Sequence, residues 1–543
     1  MLNYVWLALL FFGIGTAITT DIIDQSQNKF QNGNPLIVTL EFPGGFQKNQ
    51  EKSYHTILSI KAADFSNFYK ENIYQDISIP AIVTHHSNAA KDVINFKISS
   101  TDPKIWQEMA SASGNNEDLN GKIKIDSLLS PSIAKAHIVL ENVSFLKLKD
   151  VTSAALDYAG SAVSISLGLI GVMALWLGVM KVAEDAGLIS IIARWLKPVT
   201  KKLFPDVPPE HPAMGSMIMN ISANMLGLGN AATPFGLKAM EELNELNPEK
   251  GVATNAMCTF LAINTAGMTL IPATAIAIRA ASGSSEPAII IGTSLFASFC
   301  ATIAGVTAAK ILEKFPIKKN EFTFWAKSNL KNISAIVGFI LLILIIIFSG
   351  IGKDILQRLS FFSPGAARNI LQIFSTLAIP LLIIIFIGYG AIKKVRVYEK
   401  FVEGAKEGFT IAVKIIPYLV AMLVAIGIFR AGGAMQWLIN ILHPVTDLIG
   451  LPAEAVPMAF MRPLSGSGSL GIMAEIISVH GPDSFIGILV STLYGSSETT
   501  FYVLAVYFGA VNIKRIRHAL SAGLIADIVG VLAALFIVRL LFG

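Results

Sequence analysis

Charge is what this sequence has least of. Asp, Glu, Lys and Arg make up 15% of its 543 residues, against about a quarter in soluble globular chains. Hydrophobic residues reach 53%, so an ordinary water-soluble protein is excluded first. Cysteine is nearly missing. Cys258 and Cys300 both fall in apolar runs, which rules out a disulfide framework and a Cys-based metal centre. They read as small buried hydrophobes. No glycine-rich loop ends in GK[ST], so there is no phosphate-binding P-loop. His85 and His86 are adjacent, but no further Cys or His stands at ligand spacing, so a surface pair is expected and a metal site is not. No nucleophile–base pair or cofactor loop stands out. Neither an enzyme nor a cofactor is expected.

The net charge of +5 does not point to nucleic acid. The basic residues sit in short loops between apolar runs, where they report orientation. Those runs are what the chain has in plenty, and a bilayer crossing needs about 20 mostly apolar residues. Leu2–Thr20, Gly160–Met180, Pro287–Ala309, Asn332–Gly350, Asn369–Ala391, Gly408–Phe429 and Ala519–Phe542 qualify. Gly251–Arg279 and Ser484–Gly509 are long enough but carry internal polar clusters, which makes nine spans. No Lys or Arg precedes Val5–Ala17, which favours an uncleaved anchor over a secretory signal. In either case the residues that follow are exported.

From Asp21 to Asp150 the composition turns polar. Short β-branched or alternating runs recur at Leu36–Phe42, Thr56–Ala62, Val93–Ser99, Lys122–Ser127 and His137–Leu148. Turn clusters such as Pro43-Gly44-Gly45 and Gly114-Asn115-Asn116 separate them. The pattern predicts a small all-β extracytoplasmic domain, a sandwich, inserted after the first span.

Orientation follows from the loops. Arg194, Lys197, Lys201 and Lys202 follow the second span, and Lys310, Lys314, Lys318, Lys319, Lys327 and Lys331 follow the fourth. Lys393, Lys394, Arg396 and Lys400 follow the sixth, and Lys514, Arg515 and Arg517 the eighth. Ala281–Glu286 has no basic residue, and the Ile351–Arg368 loop has three. Even-numbered spans therefore exit into the cytoplasm.

The membrane part contains a repeat. Lys197-Pro198-Val199-Thr200 aligns with His443-Pro444-Val445-Thr446, each preceded by a span and a short amphipathic arm. After each comes a Gly-, Ser- or Asn-rich apolar segment too broken for one span, and then two more spans. The first arm carries four Lys or Arg between Arg194 and Lys202, whereas Ala434–Ile449 carries none. Three spans of the first unit and two connecting spans give an odd count, so the second unit is inverted relative to the first. Inverted repeats with interrupted helices are typical of secondary transporters, whose site lies where the repeats meet. Interrupted backbone at membrane depth is tolerated only beside protein or a water-filled cavity.

Polar residues at that depth are the candidate site. The first broken segment brings Asn220, Ser222, Asn224 and Asn230, with Gly227, Gly229 and Thr233-Pro234 among them. The second brings Arg462-Pro463 and then Ser465, Ser467 and Ser469 alternating with glycine. Two spans add Asn264, Thr265 and Thr269, and Ser496, Ser497, Glu498, Thr499 and Thr500. Anchored on Thr259 and Thr492, the repeat sets Asn264 opposite Ser497 and Thr265 opposite Glu498. Such groups serve either a solute or interhelical hydrogen bonding. Arg462 needs a partner or water, with Glu475 and Glu498 the candidates. Glu498 suits proton or cation coupling, a sugar-hydroxyl acceptor, or a structural ion pair with Arg462.

These motifs resemble known families. From Met1 to Thr20 and from about Asp157 to Glu313 the chain resembles spore maturation protein A, through LGLIGVMALWLGVMKVAEDAGL, NISANMLGLGNAATPFGLKAM and TNAMCTFLAINT. From about Val402 to Gly543 it resembles spore maturation protein B, through IIPYLVAMLVAIGIFRAGG, MRPLSGSGSLGIMAE and GSSETTFYVLAVYFGA. It looks like a fusion of the two, within the nucleoside recognition (gate) family. That family also resembles parts of concentrative nucleoside transporters and of the ferrous iron transporter B. GSSETTF is similar to a Gln-Thr-Glu hairpin that holds a nucleobase; the Glu498 position and its hydroxyl neighbour carry over, and the Gln has no match.

The expected organisation is an anchor (1–20), an extracytoplasmic β domain (21–150), a first gate-like repeat (151–315), two connecting spans (316–401) and a second repeat (402–543). The expected place is the bacterial cytoplasmic (inner) membrane. Expected partners are the lipid bilayer, a small polar solute, nucleoside-like, or an ion, a protein partner for the exported domain, and a second copy of the chain. Nucleic acid is not among them. The competing reading is a non-transporting envelope protein anchored by its helices. The two readings part on one point: whether Asn224, Arg462 and Glu498 line a common cavity.

Overall fold

The computed structural model describes residues 2–47, 51–86, 92–112, 118–313 and 364–543, together with Lys327, Leu330, Ser334 and Gly338. It divides into two compact units. One comprises Ala8–Leu156 and Gly427–Gln436, the other Met1–Leu7, Asp157–Ile426 and Trp437–Gly543.

In the smaller unit, α1 (Leu2–Ser26) leads to β1 (Leu36–Glu41), β2 (Lys52–Ile60), α2 (Ala62–Tyr69), β3 (Ile77–His85), β4 (Asp92–Lys97), α3 (Lys104–Ala112), β5 (Asp118–Ser130) and β6 (Ile133–Leu140). Each strand pairs antiparallel with its chain neighbour, and β6 returns to β1, closing a six-stranded barrel. This corrects the expected sandwich. Strands that alternate buried and exposed residues, as β1 does throughout, fit any sheet with one covered face, so the pattern cannot separate the two architectures. The domain is not all-β either. Phe65 and Tyr69 of α2 and Trp106 and Met109 of α3 are buried in the core shared with Val38, Leu58 and Ile94. Helices of 8 and 9 residues are too short to leave a clear period in the sequence. Trp106 Nε1 donates to the Tyr69 hydroxyl at 3.2 Å, and burial pushes that phenol up to about 12.

The sequence expectation did not include β3, which contains Pro80. That residue faces Ile57 of β2, but β4 pairs with β3 only from Ala81 to Thr84. The proline thus lies beyond the end of one ladder. The turn cluster Gly114–Asn116 falls outside the described residues. The two ends of the insertion are tied together. Asn32 bonds the carbonyl and amide of Val143 at 2.7 and 3.0 Å, and Asp21 accepts from the Lys147 and Leu148 amides at 2.9 and 3.0 Å. Asp21 thereby caps the first turn of α4 (Leu146–Asp185).

The larger unit repeats one order of elements. After α4 come α5 (Leu188–Leu203), α6 (Pro212–Met225), α7 (Gly229–Glu245), α8 (Asn255–Ala266), α9 (Ala273–Ala281) and α10 (Ile290–Leu312). Beyond α11 (Pro364–Ile392) the order returns as α12 (Val397–Ala431), α13 (Ala434–Ile449), α14 (Val456–Leu464), α15 (Gly466–His480), α16 (Phe485–Gly495), α17 (Thr500–Ala510) and α18 (Ala519–Phe542). The arms α5 and α13 are each 16 residues with one internal proline, Pro198 and Pro444.

Six described helices are long and apolar enough to cross a membrane: Asn3–Ser26, Leu146–Asp185, Pro287–Leu312, Ser375–Ile392, Val397–Ala431 and Ala519–Phe542. Two of the nine expected spans are not single helices. Gly251–Arg279 is α8 and α9 with a break between them, and Ser484–Gly509 is α16 and α17 with a break. The expected span Asn332–Gly350 lies outside the described residues, apart from Ser334 and Gly338.

Several large side chains face outward, while small ones form the contact between α10 and α18. Phe299, Ile303, Leu377 and Ile384 are exposed, which suits lipid rather than water. Inside, a Cβ on Gly305 of α10 would lie 3.0 Å from Ala526 of α18, and one on Gly530 would lie 3.3 Å from Ala301. Ala309 clusters with Ala522. As the numbers rise on one helix they fall on the other, so α10 and α18 pack antiparallel through small residues spaced by four.

Candidate functional site

Each interruption has a local cause. α8 stops because Gly267 turns left-handed (φ 55, ψ 48) while its amide still bonds Ile263. Pro272, which lacks an N–H, precedes α9. Ser496–Thr499 separates α16 from α17. The α6–α7 turn closes at Gly227 (φ +77), and Ser465 caps α15 by accepting from the Gly468 amide at 3.0 Å.

The interruptions meet. Glu498 donates its amide to the Thr265 carbonyl at 2.9 Å, and a Cβ on Gly267 would stand 2.9 Å from Glu498 Cγ and 3.0 Å from its nitrogen. A Cβ on Gly495 would stand 2.8 Å from Pro272 Cβ. Each helix pair also leans on a break: a Cβ on Gly227 would lie 2.6 Å from the Ile271 carbonyl, and one on Gly466 would lie 3.2 Å from Thr499 Oγ1.

The broken helices cross antiparallel, because their opposite ends are clasped. In the last turn of α9, the fully buried Arg279 donates to Asp483 Oδ1 at 2.8 Å, to the Pro287 carbonyl at 3.2 Å and to the Pro482 carbonyl. Ser285 gives both its amide and its hydroxyl to Asp483 Oδ2 at 2.8 Å. Partial burial would raise the Asp483 carboxyl, but Ser284, Ser285 and the Arg279 charge hold it below the usual carboxylate range. At the other end, Ala253 bonds the Arg515 carbonyl at 2.9 Å, Arg515 bonds Gly251 at 3.0 Å, and Arg517 Nη1 bonds Ala253 at 3.1 Å. Thus the segment before α8 adjoins the one after α17, and the segment after α9 adjoins the one before α16.

A cavity of about 260 Å³ opens between these breaks. Asn224, Gly227 and Thr269 line it from the first half, and Arg462, Tyr494, Ser497 and Glu498 from the second. Lys181 and Glu184 of α4 and Glu407 of α12 complete its charged wall. Arg462 is only 6% exposed, so it does not snorkel to an interface. It donates to the Ser497 carbonyl, lies 3.8 Å from Glu498 Oε2, and stacks 4.2 Å from the centre of the Tyr494 ring. Of the two acids expected beside it, Glu498 forms the pair, and Glu475 is buried on α15. The Glu498 side chain is half exposed, although its neighbours in sequence are buried.

The other expected site residues divide by what they touch. Asn224 Nδ2 donates to Asn264 Oδ1 at 2.9 Å, and Asn264 Nδ2 donates to Phe260 at 2.9 Å. Thr265 adjoins the cavity wall through its carbonyl. Asn220 is fully buried and donates to the Ala232 carbonyl at 2.8 Å and to the Tyr507 hydroxyl at 3.2 Å. Ser222 and Ser469 bond back to carbonyls of their own helices, and Ser496, just past α16, to the Leu493 carbonyl. Ser465 and Ser467 sit together in the α15 cap, their hydroxyls 3.4 Å apart. Thr499 is buried at the N-cap position of α17. Asn230 lies in the first turn of α7, and its side chain is outside the described residues. Sequence reasoning missed Lys181, Glu184, Glu407 and Tyr494. The available signal was charge inside the span-length helices α4 and α12.

The family model for nucleoside recognition (Gate) matches residues 166–312 and again 412–514, one stretch within each repeat of element order. Spore maturation protein B of Bacillus subtilis is 54% identical over 175 residues, 32% of this chain and 98% of that protein. Spore maturation protein A of the same organism is 48% identical over 159 residues, 29% of this chain and 81% of that protein. The two cover different parts of the chain, consistent with a fusion. The inner membrane protein YjiG of Escherichia coli K12 is 35% identical over 82 residues, 15% of this chain and 54% of that protein. No solved structure matches the chain.

Proposed function

The chain belongs to the nucleoside recognition (Gate) family, and on that premise we propose that it moves a small polar solute across the bacterial cytoplasmic membrane. Nucleoside-like compounds come first, by the family description, and an ion second. One observation carries the reading: interruptions from both halves converge on one cavity that Asn224, Arg462 and Glu498 line together. A packed bundle has no need of four broken helices at one depth, whereas a transporter binds its solute at such breaks. Inversion of the repeats is supported by the antiparallel crossing of α8–α9 over α16–α17 and by the charge contrast of the two arms. In this orientation the barrel lies outside the cytoplasm and the Lys514–Arg517 segment inside. No enzymatic step is part of the reading.

The test is solute-dependent stabilisation of the purified full-length protein across nucleosides, purines and metal ions, followed by uptake of whichever compound stabilises it. A chain that none of them stabilises overturns the transport reading. A second reading, a static envelope protein whose exported barrel binds a partner, has its own support. Leu128, Leu129 and Ile133 stand exposed on the β5–β6 hairpin, and the Arg462–Glu498 and Asn224–Asn264 pairs would also hold a static bundle. It predicts no stabilisation by solute, and loss of partner capture when Leu128 and Leu129 become serine.

A further inference from the structure

α18 packs against α8, α10, α11, α14, α16 and α17. The sequences of these seven helices contain a single acidic residue, Asp527, which is also the one charge between Ala519 and Val538. It is 7% exposed. Oδ2 accepts from Thr500 Oγ1 at 2.5 Å, and Oδ1 is buried with no hydrogen-bond partner among the described residues. Gly523, one turn earlier, permits this approach, since a Cβ there would lie 2.9 Å from Thr500 Cγ2 and 3.3 Å from Thr265 Cγ2.

A purely structural role does not account for the residue. An ionised carboxylate at membrane depth is costly. One hydroxyl bond offsets only part of that cost, and Asn or Ser would make that bond without the charge. The surrounding charges are few. α14, which carries Arg462, packs against α18, and Arg462 Nε is buried with no hydrogen-bond partner among the described residues. α8, α16 and α17 have no Asp, Glu, Lys or Arg, and Lys310 and Arg539 stand in the last turns of α10 and α18. On α11, Arg368 stands in the first turn. Thr500 opens α17, directly after the break that holds Glu498. Arg462 thus lies 3.8 Å from Glu498 in the cavity and on a helix packed against the one that carries Asp527.

We propose that Asp527 is a proton-binding site that exchanges a proton for solute, with Arg462 as the shared group. The inference rests on the transport reading. With a proton on Oδ1 the carboxyl is neutral, and Arg462 stays with Ser497 and Glu498. When the proton leaves to water, the carboxylate draws on Arg462 and frees Glu498 for a donor group of the solute. One O–H bond forms or breaks, and nothing else changes covalently. Proton and solute then oppose each other, by the same factor in each direction.

The full chain in lipid vesicles decides this, with two readouts. Infrared spectra at pH 7 should show a protonated-carboxyl C=O absorption that Asp527→Asn removes, while the variant melts no lower than the native protein. An absorption unchanged in the variant overturns the site, whether or not any solute moves. For coupling, uridine is the probe, and native vesicles with an acidic lumen should accumulate it. Asp527→Asn vesicles should equilibrate uridine without accumulating it. Uptake indifferent to the gradient, or driven by acid outside, overturns the exchange and leaves the transport reading standing. A native protein that carries no uridine under any gradient counts against transport of nucleosides, and the infrared result alone then decides the proton site. Stabilisation by sodium in place of proton uptake would mark a cation site and overturn the proposal.

Discussion

Gly267→Ala should destabilise the protein by about 2–5 kcal/mol, and the figure can be divided in advance. Gly267 holds φ +55, a left-handed conformation that costs an alanine roughly 1–2 kcal/mol. Its new Cβ would also stand 2.9 Å from Glu498 Cγ, 3.0 Å from the Glu498 nitrogen and 3.2 Å from the Ser497 carbonyl carbon. Two of those atoms are backbone, and overpacking against them costs about 1–3 kcal/mol more. Gly283→Ala isolates the first part, because Gly283 has φ +79 with nothing within 4 Å. It should cost only about 1–2 kcal/mol. Gly160→Ala, within α4 and equally open, should be neutral or gain up to about 1 kcal/mol. Thermal unfolding of the three full-length variants in one detergent gives the order directly: Gly160→Ala highest, then Gly283→Ala, then Gly267→Ala. Should Gly267→Ala melt no lower than Gly283→Ala, the two breaks do not touch, and the shared cavity goes with them.

Arg462→Gln removes the cation from a half-buried pair and leaves the Ser497 carbonyl without its donor. Because the remaining Glu498 is half exposed, the cost in chemical unfolding should be about 1–3 kcal/mol, chiefly for the unpaired carbonyl. Glu498→Gln leaves the buried Arg462 cation without its carboxylate, so it should melt below the native protein and lose any uridine-dependent stabilisation; retained stabilisation would remove Glu498 from the site. His518 is buried, with neither ring nitrogen partnered among the described residues. Burial first, then Arg517 and Lys310, lower it to about 4. Between that value and its ordinary 6.5 the unfolded chain binds more protons than the folded one, so stability is full above about pH 6.5 and falls as pH drops toward 4, by at most about 3 kcal/mol. His518→Gln should flatten that decline in unfolding midpoints taken at pH 7 and pH 5. Single cysteines at Tyr74 and Glu210, with Cys258 and Cys300 buried, should react from outside and from inside the cell respectively with a membrane-impermeant maleimide. The reverse labelling would undo the inversion.

How much could be read in advance depended on the range of the interaction. Apolar run length reports lipid directly, so α4, α10, α12 and α18 stand where the runs lie. Proline in an amphipathic stretch marks a local event, and the Pro198 and Pro444 arms emerged as helices of equal length. Glycine and asparagine signalled the α6–α7 and α14–α15 turns for the same reason. The breaks within Gly251–Arg279 and Ser484–Gly509 were harder, because a hydropathy window averages across Gly267 and across Ser496–Thr499. Their stability also comes from the other half of the chain, through bonds such as Glu498 to Thr265 that no local pattern encodes. Asp527 was passed over for a related reason. A 24-residue helix as apolar as α18 absorbs one carboxylate without ceasing to look like a span.

The pairing of Thr265 with Glu498 shows how a repeat can bring the right residues together by the wrong relation. Sequence anchoring made them equivalents, yet the helix ends align Ala266 with Gly495, which sets Thr265 against Tyr494. Thr265 and Glu498 are instead neighbours, joined by an amide-to-carbonyl bond where the antiparallel breaks cross. If the halves are related by a twofold axis, as proposed, a residue on that axis touches its own counterpart, and equivalence and contact coincide there. A few residues away they separate: Arg279 meets Asp483 at one end, and Ala253 meets Arg515 at the other. Under such an axis, matching by sequence comes near to contact at the cavity, where the broken helices cross, and departs from it at both clasps.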